Sequence, residues 1–140
     1  MRYAWAVVLL CGVSLAAQGT RTFKTRLAPV PIDVAMQATI AGTGSVTATL
    51  SGSKLTITGS FEGLRSAATI AKIRKSPVRG VRGPEVFDLT VAPGTSGTIS
   101  GTFELNPQQL ADLQGGRLYV QVHSEKAPDG NLWGWLTERK

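Results

Sequence analysis

Two residue types that carry much of protein chemistry are almost missing from these 140 residues, which contain one cysteine, Cys11, and one histidine, His123. A zinc- or copper-type cluster of His and Cys cannot be assembled from one of each. No disulfide can form within the chain. Any Ser-His-Asp or Cys-His catalytic site would have to use His123. Charged residues make up only 17% and aromatics 6%, which excludes a disordered polyelectrolyte and a coiled coil. Long apolar runs are also lacking. The longest, Ala4 to Val13, is half of the ~20 residues that a membrane span needs. Gly (16), Pro (7) and scattered Thr and Ser are abundant instead, a composition of short strands and many turns.

Arg2, the apolar stretch and the small residues Ser14 to Ala17 have the order of a secretory leader. The expectation is a signal peptide over 1–17 and a single domain over 18–140. That domain would be secreted, periplasmic or cell-envelope associated, with no transmembrane span. Cys11 would leave with the leader, so stability must come from an ordinary packed core. Loss of Arg2 takes the formal charge from +6 to +5.

The alternation of apolar and hydroxyl residues predicts the strands. Thr20–Leu27 is an early one, ended by Pro29-Val30-Pro31. Val46, Ala48 and Leu50 alternate with threonines. After the Ser51-Gly52-Ser53 turn, Leu55, Ile57 and Phe61 do the same, which predicts a hairpin. Further strands are expected at Ala68–Lys75, Val86–Val91, Thr98–Leu105 and Leu118–His123, and a last one at Leu132–Thr137 after a Pro128-Asp129-Gly130-Asn131 turn. One short helix precedes the penultimate strand, with Asn106 as N-cap, Pro107 in the first turn and Gly115-Gly116 at its end. The expected class is all-β, an antiparallel Greek-key β-sandwich of the immunoglobulin-like or superoxide-dismutase-like kind.

Six phrases in order resemble the CHRD family, the chordin-type domain: Gly44–Gly52, Phe61–Leu64, Ala71–Arg74, Gly80–Pro84, Gly97–Gly101 and Leu118–Ser124. With the closing Pro128–Leu136 segment, the resemblance spans roughly 22 to 137. It implies an exported β-sandwich without an established reaction. It also implies a polar site at Lys72, Arg74 and His123, where members of the family carry a His-x-His pair and a third imidazole. With two of the three replaced by cations, neither a metal nor a cofactor is expected.

The sharpest local feature is charge. Arg65, Lys72, Arg74, Lys75, Arg79 and Arg82 lie in one stretch free of acids, so the rest of the secreted chain sums to −1. Lys72, Arg74, Lys75, Arg79 and Arg82 are candidates for an anion- or partner-binding face. Its ligand would be a polyanionic glycan, an anionic lipid surface or a protein partner; an exported chain meets no nucleic acid. The alternative is a solvated loop paired with Glu85, Asp88 or Glu125. Trp133 and Trp135 point outward together if Leu132, Gly134 and Leu136 face the core, and are candidate aromatic contacts. No motif joins nucleophile, base and oxyanion site, so a non-catalytic binding module is expected. The alternatives are a degenerate metal-binding or redox β-sandwich and a purely structural envelope protein.

Overall fold

The computed structural model describes residues 19–139. The expected leader and Cys11 lie outside them. Nine strands follow in order: β1 (Thr20–Pro29), β2 (Thr43–Ser51), β3 (Lys54–Glu62), β4 (Ala68–Lys75), β5 (Glu85–Val91), β6 (Gly97–Glu104), β7 (Leu118–Ser124), β8 (Ala127–Trp135) and β9 (Thr137–Arg139). The helix, α1 (Pro107–Gln114), sits between β6 and β7, and a 3-10 turn at Val34–Ala38 lies between β1 and β2. Asn106 caps α1 as expected, its side chain accepting from Gln109 N–H while the Gln109 side chain returns the bond. No helix among the described residues is long and apolar enough to cross a membrane.

All the strand pairings are antiparallel, but the sandwich gives way to a closed barrel. The order runs β1-β2-β3-β6-β5-β4-β7-β8 and returns to β1. Closure rests on β1. One edge pairs with β2 from Thr20 to Leu27, and the other takes β8 at Ala28 and Pro29 and β9 from Thr22 to Lys24. A local strand pattern carries no information on whether first and last strands meet, which is why the barrel was not visible in it.

The interior is set by the alternation. Phe23, Leu27, Val46, Ala48, Leu55, Ile57, Ile73, Ile99, Val120, Val122, Leu132 and Leu136 are buried in one core, while the residues between them face out. A second, smaller cluster of Val30, Ile40 and Ala127, with Trp133 against it, lies beside the barrel wall.

The Pro128–Asn131 phrase is not a turn between strands. The reversal comes earlier, at Glu125 and Lys126, and Ser124 pairs with Ala127. Val122 then pairs with Leu132, so four residues of β8 oppose His123 alone. Turn-type residues here build a wide bulge, which re-aims neighbouring side chains. Gly130 sits in it at φ +127°, where a Cβ would strike the Gln121 side chain.

Candidate functional site

Strands β4, β7 and β8 lie side by side, and register decides what shares their outer face. Ile70 pairs with His123, Lys72 with Gln121 and Arg74 with Tyr119. Gln121 in turn pairs with Trp133, and Tyr119 with Trp135. The face therefore carries Lys72, Arg74, Tyr119, Gln121, His123, Trp133 and Trp135. Leu132, Gly134 and Leu136 are buried on the other side, so the phase expected for the tryptophans holds.

The two indoles do not form a flat platform. Their rings meet at 68° with centroids 4.7 Å apart. Tyr119 stacks on Trp135 at 4.7 Å and meets Trp133 edge-on at 5.9 Å. Trp135 is buried and Trp133 half-buried. The three rings form a packed aromatic cluster of the geometry that such rings prefer.

Residues 76–84 fold back over this face. The Gly83 N–H donates to Tyr119 Oη at 2.9 Å, and Arg74 donates to the Gly83 carbonyl at 2.8 Å. The Ser76 hydroxyl sits between the carbonyls of Val78 and Val81. Only glycine fits at 83, because a Cβ would collide with the Lys75 carbonyl. Arg82 then reaches across, donating to the Asp129 carbonyl at 2.6 Å and lying 5.8 Å from the Trp133 ring centroid.

The cations of the basic run thus meet different fates. Lys72 lies 2.5 Å from Glu85 and 2.7 Å from Asp88, the acids that the sequence offers as partners. The two carboxylates hold the Lys72 ammonium above its ordinary range, chiefly through the hydrogen bond it donates to Asp88. Lys75 is 3.3 Å from buried Asp112 on α1. Arg74 is tied to the folded-back segment. Arg79 and Arg82 are exposed, as is Arg65.

His123 is 5% exposed and lies 2.8 Å through Nδ1 from the Pro128 carbonyl across the bulge. A carbonyl only accepts, so Nδ1 carries the proton. Burial, reinforced by the charges of Arg74, Lys72 and Arg82, pushes the imidazole below its ordinary range, against the bond to Pro128. With the proton on Nδ1, Nε2 of the neutral ring finds no partner among the described residues, and the N–H donors Gln121 Nε2, Arg74 Nε and Trp135 Nε1 find none there either.

These residues do not suit a metal. At the positions where the resemblance places imidazoles stand an ion-paired ammonium and a guanidinium, both adding positive charge at His123. Among the described residues no group of three His, Cys, Asp or Glu could hold an ion.

A cleft of about 130 Å³ opens beside the bulge. Val30, Ile40 and Met36 give it apolar walls, and Arg82 and Lys126 supply two cations. The 3-10 turn next to it exposes Val34 and Met36, Val34 to 82%, and Ile32 just before the turn is exposed as well. Lys126 and the Tyr119–Gln121 pair were not singled out from sequence. The signal for the pair was present, since the Leu118–His123 alternation places both on the face of His123. Lys126 joins the site only through the bulge.

Residues 23–136 match the family described as the CHRD domain. No curated protein and no solved structure matches the chain.

Proposed function

The chain belongs to the CHRD domain family, and from that premise we propose that it is an exported, non-catalytic binding module that engages anionic lipid headgroups at the cleft beside β8. The observation that carries this reading is the posture of Arg82. Its guanidinium is held over the Trp133 ring by the Asp129 carbonyl, at the edge of a cleft whose other cation is Lys126. A guanidinium fixed in this way presents its remaining N–H groups as a fork suited to a phosphate. Arg79, exposed three residues earlier, adds to the field. Ile32, Val34 and Met36 offer short apolar side chains to the boundary between headgroups and acyl chains. Lys72, Arg74 and Lys75 support the face from below through their partners.

Sedimentation with vesicles tests this. Binding to phosphatidylglycerol-containing vesicles should exceed binding to phosphatidylcholine vesicles and weaken as salt rises, because screening shortens electrostatic reach to ~8 Å at 0.15 M. Arg82→Gln with Lys126→Gln should lower it about thirtyfold, because each basic residue near an anionic membrane surface contributes about 1 kcal/mol. Equal binding by that variant, or no preference for anionic vesicles, would overturn the reading.

A further inference from the structure

A second groove lies on a different wall. It has a volume of about 470 Å³ and runs over β1, β2 and β3. Lys24 and Arg26 line it, projecting from the outer face of β1 between the buried Phe23 and Leu27, and two residues along a strand place them ~7 Å apart. Arg139 joins them from the far end of the chain, because β9 pairs Arg139 with Thr22. All three are exposed.

None of the three has an ion pair among the described residues, and the register explains why. Across from Lys24 and Arg26 on β2 stand Thr47 and Ser45, and Ser45 faces Ser60 on β3. These cross-strand neighbours are hydroxyls where β4 has carboxylates on β5. Glu138, next to Arg139 in sequence, is held by Arg21 at 2.6 and 2.7 Å. Glu62 is the one acid lining the groove.

We infer that this groove binds an acidic polysaccharide, a sugar chain bearing carboxylate or sulfate groups. Three cations spread along an open groove suit charges repeated along a chain. The row of Thr and Ser hydroxyls between them both donates and accepts, which suits sugar hydroxyls. The apolar residues at the groove, Val46 and Phe61, are 1% and 3% exposed, so it offers no surface to an acyl chain. It also has no exposed ring on which a nucleic-acid base could stack. This site is separate from the cleft at Arg82 and does not rest on the lipid reading.

Calorimetric titration of the purified protein with heparin oligosaccharides, oligogalacturonate and neutral dextran is the test. Both acidic chains should bind and dextran should not, and affinity should fall at least tenfold between 50 and 300 mM NaCl. Lys24→Gln, Arg26→Gln and Arg139→Gln combined should weaken binding at least tenfold with the thermal midpoint nearly unchanged. Arg79→Gln, Arg82→Gln and Lys126→Gln combined should leave it within twofold. Backbone amide shifts on titration should centre on Ser45, Thr47 and Ser60. The inference is overturned if neither acidic chain binds, if the groove variant binds like the parent, or if a single-stranded oligonucleotide competes as well as the glycans. Vesicle binding follows Arg82 and Lys126 while glycan binding follows Lys24, Arg26 and Arg139, so either proposal can fail alone.

Discussion

Around β7, cations that crowd together in the sequence are answered by the fold: Lys72 by Glu85 and Asp88, Lys75 by Asp112, Arg74 by the Gly83 carbonyl, Arg82 by the Asp129 carbonyl. Around β1, Lys24 and Arg26 of β1 and Arg139 of β9 gather in a groove with hydroxyl neighbours, where Glu62 is the one acid in the lining and none of the three has an ion pair among the described residues. A run of like charges is costly to bring onto one strand, so acids on the next strand offset it. Charges arriving from distant segments meet no such compensation. Net charge along the sequence therefore measures demand for internal partners, and the free field lies where the tertiary structure leaves it.

The comparison breaks most sharply on stability. On the β7 wall the aromatic cluster is part of the folded core, so Trp135→Ala should cost about 3–5 kcal/mol. On the β1 wall, Lys24→Gln, Arg26→Gln and Arg139→Gln combined should change stability by about 0.5 kcal/mol or less per site. Urea unfolding of both proteins measures the contrast, and similar losses would mean that the groove cations are structural. Smaller, and more local, is Tyr119→Phe. It removes the acceptor of the Gly83 N–H at a cost of about 1–2 kcal/mol, and amide exchange at Gly83 should quicken while exchange in β2 and β3 stays as it was.

The smallest effect is a dependence on pH. Because the native imidazole of His123 is held below its ordinary range, the folded chain binds fewer protons than the unfolded one as pH falls past about 6.5. Stability contributed by this group is present above that pH and is lost on acidification through the folded value. Urea midpoints between pH 7.5 and 5 should fall, and His123→Gln should flatten that part of the curve. Arg82→Gln removes one of the charges at the ring, so the His123 titration followed by NMR should move upward. An unmoved titration would mean that Arg82 exerts no field there.

Much of the strand pattern was legible because threonine and apolar residues alternate so regularly in β2 and β3, and Tyr119, Gln121 and His123 alternate with apolar residues in β7. The helix was legible through its cap. The barrel was not, since its closure depends on β1 finding β2 and β8 at once. The Pro-Asp-Gly-Asn phrase misled for a physical reason: the same residues favour a turn and a bulge, and only the position of the Ser124–Ala127 pair separates the two. On the site, the outward phase of Trp133 and Trp135 followed from strand period, but their 68° angle depends on Tyr119 from another strand. The partners of Lys72 were visible as an alternative because Glu85 and Asp88 flank the run. Lys24, Arg26 and Arg139 could not be joined on paper, since pairing across the whole chain brings them together.

The seam at β1 also governs when this molecule can fold. Arg21 and Glu138 are 117 residues apart in sequence, and the strands that flank β1 include β8 and β9, far along the chain from it. Topologies dominated by such distant contacts fold slowly, because the loss of chain entropy precedes the contacts that reward it. A growing chain has β1 to β7 before it has β8 and β9, and that edge of β1 stays open until both are present. Acquisition of the native state thus waits for β8 and β9, both of which must be present before β1 can close the barrel.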